Sequence, residues 1–314
     1  MTDLDFQHIP VLLRETLEGL SPSPGHVIAD CTVGGGGHAL AIIQRILPGG
    51  HYIGLDKDPA AIHAAEAKLK GYSGSVSLVR SSYACLPEIL EQMELGLVDG
   101  ILFDLGVSSH QLDVPERGFS YMADAPLDMR MDPEADLTAQ QIVNQYSLEE
   151  LTRILRVYGE ERWASRIAAY IVQERSRQEI SHTEQLVSVI KKAVPAAARR
   201  TGPHPAKRTF QALRIAVNNE LTELENTLQR VIPHLRRGGR ICVISFHSLE
   251  DRIVKQTFQD FAKGCTCPPE IPVCVCGKEA QLRIITRRPV EAGREELEKN
   301  PRARSAKLRV AEKL

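Results

Sequence analysis

None of the apolar runs in this chain reaches the roughly 18 residues that a membrane-spanning helix needs. The first residues, MTDLDFQHIP, lack the basic stretch followed by an apolar run that marks a secretory signal. The expected location is therefore the cytoplasm, with no membrane partner. Charge of one sign is missing as well: 39 Lys and Arg stand against 40 Asp and Glu, for a net charge of −1. A whole-molecule field that gathers polyanions indiscriminately is excluded, so any contact with nucleic acid has to be local. Internal repeats and low-complexity tracts are absent too. The seven cysteines are an odd number and do not form a disulfide framework. Cys31, Cys85 and Cys242 lie in apolar settings that suit reduced, buried thiols. The sequence says nothing of oligomeric state.

What is present is a β/α grammar. Short apolar runs at His26 to Cys31, Tyr52 to Asp56, Val76 to Arg80 and Val98 to Asp104 alternate with helical patterns at 38–47, 59–70 and 85–93. Continuous apolar strands separated by helices predict a parallel sheet covered on both faces. From about Pro115 to Thr209 the strands disappear, and charged helical patterns at 148–155, 161–177 and 183–194 take over. A helix over 210–231, a strand over 241–246 and a helix over 249–263 resume the alternation. Two β-rich runs, 281–286 and 307–311, close the chain without a convincing helix between them and predict an antiparallel hairpin at the sheet edge. The expected fold class is α/β: a Rossmann-like sheet formed by residues 1–114 and 210–314, with an all-helical domain inserted at 115–209.

The first strand delivers the chain into Asp30-Cys31-Thr32-Val33-Gly34-Gly35-Gly36-Gly37-His38, at the carboxyl edge of the sheet, where ligands of open α/β folds bind. Glycines let backbone N–H groups approach a bound molecule, and the start of the following helix adds unpaired donors and a positive dipole end. The second strand ends at Asp56, where a carboxylate can accept from both hydroxyls of a ribose, while Asp58, just before Pro59, suits a helix cap. These features point to an adenosine-type cofactor and leave two open. The spacing Gly34-x-Gly36-x-x-Ala39 fits a dinucleotide loosely. The aromatic at Tyr83, the strand end Asp104-Leu105-Gly106 and the antiparallel finish favour S-adenosyl-L-methionine.

Six longer runs then identify a resemblance: LFDLGVSSHQLD from Leu102, RGFSYMADAPLDMRMDP from Arg117, YGEERWASRIA from Tyr158, HPAKRTFQALRI from His204, ISFHSLEDRIVK from Ile244 and NPRARSAKLRVAE from Asn300. Together they resemble the bacterial 16S rRNA cytosine-N4 methyltransferases, the RsmH (MraW) family, over nearly the whole chain. The resemblance implies transfer of a methyl group from S-adenosylmethionine to N4 of a cytidine in the decoding region of the small ribosomal subunit, with 16S rRNA as partner. Carried over by position, the cofactor contacts fall on Gly36, Gly37, His38, Asp56, Tyr83, Asp104 and Gln111. Tyr83 stands where other members carry Phe, which keeps an aromatic face. The segment after Lys263 is the main departure from the family.

Asp104 is the catalytic candidate. As a hydrogen-bond acceptor for one N4–H it would concentrate electron density on a poor nucleophile; its other reading is as a partner of the cofactor's methionine amino group. Ser108, Ser109 and His110 follow it, where an extruded base would enter. Asp128, Arg130, Phe246 and His247 are secondary candidates for the substrate pocket, with Ser248 read as a helix cap. The cations Arg199, Arg200, Lys207 and Arg208 form a phosphate-gripping stretch that Arg302 and Arg304 extend. Finally, Cys265-x-Cys267 and Cys274-x-Cys276 supply four thiols, enough for a zinc site, although one-residue spacings depart from the usual pattern. Redox-labile or reduced thiols are the alternative. Two rival functions stand beside methyl transfer: an oxidoreductase using the same glycine turn, and a non-catalytic RNA-binding protein.

Overall fold

The computed structural model describes residues 10–200, 202–265, 267 and 277–314. Helix α1 (Leu13–Leu20) comes first, followed by β1 (Val27–Asp30), α2 (Gly37–Ile46), β2 (His51–Asp56), α3 (Pro59–Leu69), β3 (Val76–Arg80), α4 (Leu86–Gln92) and β4 (Val98–Asp104). Local chemistry sets these ends. Asp58 accepts the Ala60 N–H at 3.0 Å and Pro59 occupies the first turn of α3, so that helix starts where the sequence placed its cap. Helix α1 was not expected. Its start is fixed from a distance, since Leu12 is left-handed at φ 52° and its N–H donates to Glu296 Oε1 at 2.7 Å.

Seven helices follow: α5 (Ser109–Asp113), α6 (Ala139–Gln145), α7 (Leu148–Val157), α8 (Ala164–Arg175), α9 (Thr183–Ala193), α10 (Ala196–Arg199) and α11 (Lys207–Asn218). Then come α12 (Glu220–Val231), β5 (Leu235–Ser245), α13 (Ser248–Ala262), β6 (Leu282–Ile284), α14 (Arg294–Lys299) and β7 (Lys307–Lys313). The chain divides into two compact units. One comprises the residues up to Gly106 with Leu221–Leu314, and the other is Val107–Glu220. The helical unit is thus wider at both ends than the span 115–209 read from the sequence.

The first unit holds one seven-stranded sheet in the order β3-β2-β1-β4-β5-β7-β6. All neighbours are parallel except those of β7, which runs antiparallel to both β5 and β6. The expected terminal pair exists, but β7 lies inside the sheet between β5 and β6, and the short helix α14 interrupts the connection. Its buried sequence explains the placement: Leu308, Val310 and Ala311 are all shielded, whereas an edge strand tolerates an exposed row. Side chains alternate across the sheet. Ile53, Leu55, Ile101, Phe103, Ile241 and Val243 face α12 and α13, while Ile28, Tyr52, Leu102, Cys242 and Ile244 face α1 and α2. Strand order reverses between β1 and β4, and the site is expected at that switch point. Cys31 and Cys242 are buried as anticipated; Cys85 is exposed, because it ends a short helical turn and does not enter the core.

The helical unit packs Leu151, Ile154 and Leu155 of α7 against Ile167 and Ile171 of α8, Leu186 and Ile190 of α9, and Phe210 and Leu213 of α11. Its helix starts are legible from side chains: Ser147 with Glu150, and Thr138 with Gln141, each form a reciprocal capping box. The helix expected over 210–231 is instead broken at Asn219, left-handed at φ 50°, whose N–H closes on the Ile215 carbonyl. Just past the break, Glu220 takes both Nε and Nη2 of Arg214 at 2.8 Å. A left-handed position tolerates Asn and Gly but not a β-branched side chain. Asn219→Val is expected to cost about 1–2 kcal/mol and Asn219→Gly only a few tenths or so, read from urea unfolding midpoints.

Candidate active site

The glycine-rich turn leaves β1 and is stitched to two further strands, β2 and β4, by its own backbone. Cys31 N–H donates to the Leu102 carbonyl of β4 at 2.8 Å, and Val33 N–H to the Leu55 carbonyl of β2 at 2.9 Å. Gly34 N–H donates to Asp56 Oδ2 at 3.0 Å. Thr32 adds a side-chain tie, its Oγ1 accepting the Asp104 N–H at 2.6 Å. The ends of β1, β2 and β4, with Asp30, Asp56 and Asp104, are thereby fixed around one turn. Gly36 takes φ 72° as the N-cap of α2, a role needing no Cβ, and no side chain caps that helix. Gly37 is constrained differently: a Cβ there would lie 2.6 Å from Pro10 Cγ.

Several titratable groups are buried at this edge. Asp30 is 1% exposed; Tyr52 Oη donates to its Oδ2 at 2.7 Å and the Thr32 N–H to its Oδ1 at 3.0 Å. Burial nevertheless raises the Asp30 pKa above the ordinary carboxylate range. His38, in the first turn of α2, points Nε2 toward Asp104 Oδ2 at 3.6 Å. Burial alone would lower the His38 pKa, but the Asp104 carboxylate, with Asp30 behind it, more than offsets that and holds it above the usual value. Asp56 is pushed up to about 6 by burial, against the N–H bonds from Asp58 and Gly34 that favour its ionised form. Both ring nitrogens of His38 and Oδ1 of Asp104 are buried without a hydrogen-bond partner among the described residues. Such orphaned polar atoms at a sheet edge call for a polar ligand.

At the exit of β3, Ser82 caps the turn that carries Tyr83. The Tyr83 ring meets Phe103 edge-on at 5.6 Å, and Lys57 Nζ stands 5.5 Å from its centroid. Glu223 of α12 joins this group, one carboxylate oxygen bonding the Lys57 ammonium and the other the Ser82 hydroxyl. Sequence reasoning missed Glu223 and Lys57. A glutamate in a charged helix far along the chain gives no local sign of facing the sheet edge.

Gly36, Gly37, His38, Asp56, Tyr83 and Asp104 therefore all belong to the edge of one sheet. Gln111 lies in the helical unit, where it is 4% exposed and its Oε1 accepts the Ser108 N–H in a capping box that starts α5. In the same unit Arg130 clamps Asp128 through Nε at 2.9 Å and Nη2 at 2.7 Å. Although half-burial opposes it, this pairing brings the Asp128 pKa below the ordinary value. After β5, the cap of α13 is His247, not Ser248: His247 accepts the Glu250 N–H while Glu250 takes the Phe246 N–H at 2.8 Å. The imidazole sits one residue before the helix, which Ser248 already begins.

Of the four cations expected to grip phosphate, Lys207 and Arg208 open α11, and Arg208 Nη1 donates to the Glu160 carbonyl at 2.7 Å. Arg199 and Arg200 are exposed at the end of α10. Cys265 is exposed and Cys267 half-buried, while Cys274 and Cys276 lie outside the described residues. Among the described residues no helix is long and apolar enough to cross a membrane.

Residues 5–314 match the MraW methylase family. A protein of Heliobacterium mobile named ribosomal RNA small subunit methyltransferase H is 56% identical over 312 residues, 99% of this chain and 100% of the relative. Its counterpart of the same name in Brevibacillus brevis is 54% identical over 314 residues, 100% of both chains. The crystal structure of an rRNA methylase from Streptococcus thermophilus shares 8% identity at a TM-score of 0.44, covering 98% of each chain.

The geometry around the turn separates packing from ligand space. Gly35 has open space where its Cβ would go, so Gly35→Ala is expected to leave stability within about 0.5 kcal/mol. Gly37→Ala, driven into Pro10, is expected to cost about 1–3 kcal/mol, with thermal unfolding of the unliganded protein as the measurement.

Proposed function

The chain belongs to the MraW methylase family, and on that premise we propose that it methylates small-subunit rRNA, carrying a methyl group from S-adenosyl-L-methionine to N4 of a cytidine in the decoding region of 16S rRNA. The observation that carries the proposal is the acceptor oxygen Oδ1 of Asp104, buried and unpartnered at the switch point. The cofactor fits the groups at this edge: it brings ribose hydroxyls for Asp56, an adenine for the Tyr83 end and an amino group for a carboxylate. When bound, it supplies an electrophilic methyl carbon on a positively charged sulfur.

The residues contribute position and charge. Asp56 holds the ribose through its carboxylate, backed by the Gly34 and Asp58 N–H groups. Tyr83 is steadied by Phe103 and by the Lys57–Glu223–Ser82 group beneath the adenine end. Asp104 is anchored through its own N–H by Thr32, so its side chain is presented at a fixed height above the sheet. There it accepts one N4–H, which keeps the nitrogen lone pair directed at the methyl carbon and takes up the proton released as the new N–C bond forms. His38 stands beside it, Nε2 3.6 Å from Asp104 Oδ2. The helical unit, with the cations Arg199, Arg200, Lys207 and Arg208, is the substrate-recognition part of this reading. The alternative in which Asp104 only binds the methionine amino group makes an opposite forecast.

Two measurements test the assignment. Asp104→Asn is expected to lower single-turnover methylation of unmodified small subunits about 10²-fold or more, with nucleoside digests losing N4-methylcytidine. Binding of S-adenosylhomocysteine to that variant should change little; a matching loss of affinity would sink the acceptor role. For Asp56 the sign follows from its raised pKa. Ionised above about 6 and protonated below, it loses acceptor capacity as pH falls, so S-adenosylhomocysteine affinity should drop between pH 7 and pH 5. Asp56→Asn should flatten that profile and weaken binding by about 10- to 100-fold at pH 8, measured by calorimetry.

A further inference from the structure

We propose that the α7–α8 face of the helical unit is a docking platform for single-stranded RNA, built from arginines laid over aromatic rings. Three pairs make it. Arg153 Cζ lies 5.9 Å from the Tyr158 ring centroid, Arg162 5.3 Å from Trp163, and Arg166 5.6 Å from Tyr170. Arg166 and Tyr170, four residues apart in α8, share one face of it, and Arg162 lies in the turn just before Trp163, the N-cap of that helix. Each ring is half-buried and packs inward against the core of the unit, while the three arginines are exposed. The guanidinium planes are thus backed by rings and open to solvent. A base can stack on such a plane, and a phosphate can take its outward N–H groups.

Among the described residues the three arginines carry no ion pair, although the charge of Arg153 is felt by exposed Glu150, one turn before it in α7. Elsewhere in the unit Arg130 is neutralised by Asp128 and Arg214 by Glu220. Glu161, next to Arg162, is 8% exposed and spends Oε1 on the backbone N–H of Trp163 at 2.8 Å. Exposed Arg156 adds a fourth cation, donating to Ser165 Oγ at 2.7 Å. The platform is continuous with the start of α11. Arg208 reaches the Glu160 carbonyl, and Gln211 Nε2 donates to the Tyr158 carbonyl at 3.0 Å. Lys207 and Arg208 accordingly border it. Arginines covering apolar rings merely to shield them would look similar in outline, but would carry no RNA.

The inference rests on RNA being the substrate, and Trp163, the one tryptophan of the chain, gives a local probe of it. An unmodified single-stranded oligoribonucleotide from the decoding region is titrated into the full protein, with anisotropy of the labelled RNA and Trp163 emission followed together. Binding is expected to change the emission in step with anisotropy. The double variant Arg162→Ala/Arg166→Ala should bind about tenfold more weakly, with the salt slope reduced by about 1–2, while unfolding temperature and S-adenosylhomocysteine affinity stay as in the parent. Arg162→Lys/Arg166→Lys should recover the salt slope but not the full emission change, because an ammonium keeps the charge and loses the plane. RNA binding that leaves Trp163 emission and the double variant's affinity unchanged overturns the platform. Weaker binding of the double variant to small subunits alone, with the oligoribonucleotide unaffected, overturns it in favour of a protein partner. Parent protein that fails to methylate subunits at all refutes the function proposed above; a methylating parent whose KM for subunits is matched by the double variant refutes only the platform.

Discussion

The hydrogen bond from the Asp104 N–H to Thr32 Oγ1, 2.6 Å long, is the constraint on which the site depends. It crosses the point where strand order reverses, joining the end of β4 to the turn that leaves β1. Parallel strands that diverge at a switch point open a crevice, and nothing in the sheet ladder sets its width. Here the Thr32 hydroxyl and the Cys31 N–H to the Leu102 carbonyl set it together. With the turn pinned to β2 as well, its glycines have one path across the sheet edge. The first turn of α2 then faces the crevice with no side-chain cap, so its donors are left for a ligand.

That geometry has an electrostatic cost. Bringing Asp30, Asp56 and Asp104 to one buried edge places like charges together in low dielectric, and burial raises the Asp30 and Asp56 pKa values. His38 offsets part of this, since its proton is favoured by two of these carboxylates, Asp104 and Asp30. Tyr52 offsets another part through its bond to Asp30. A cationic ligand entering the edge would supply the remaining compensation, and its binding and carboxylate ionisation would then reinforce one another. Buried carboxylates of this kind detract from the stability of the empty fold and are kept for what they bind.

Much of this was readable in order along the chain, because strands with continuous apolar runs and turns with Gly, Asp and Pro carry local signals. The bounds of β3 and β4, the Asp58 cap and the turn after Asp30 are of that kind. What escaped was set by partners far away. Helix α1 starts where Glu296 takes the Leu12 N–H, the α11–α12 break sits at an Asn that reads as an ordinary helix residue, and β7 enters the sheet because its burial is decided by β5 and β6. Glu223 was invisible for the same reason: its significance is its reach to Lys57 and Ser82, well over a hundred residues upstream. The cap of α13 went to His247 in place of Ser248 because a ring nitrogen accepted the N–H that a hydroxyl was expected to take.

A net charge of −1 would suggest a protein indifferent to polyanions. The structure resolves that sum into two populations of cations. Arg214, Arg240 and Arg309 are spent inside the fold, each fork matched to a carboxylate of Glu220, Glu312 or Asp251. They fix backbone segments and present little field to solvent. Arg153, Arg162 and Arg166 are held over rings instead, which restrains the side chain without cancelling its charge. An aromatic ring is the one common partner that can order a guanidinium and leave its outward donors available. Preordering lowers the entropy lost when a phosphate or base arrives, so a few such residues count for more than a longer run of mobile lysines. Charge balance over the whole chain is therefore compatible with ordered guanidiniums that carry no ion pair, while Glu220 and Asp128 are committed to other arginines of this unit.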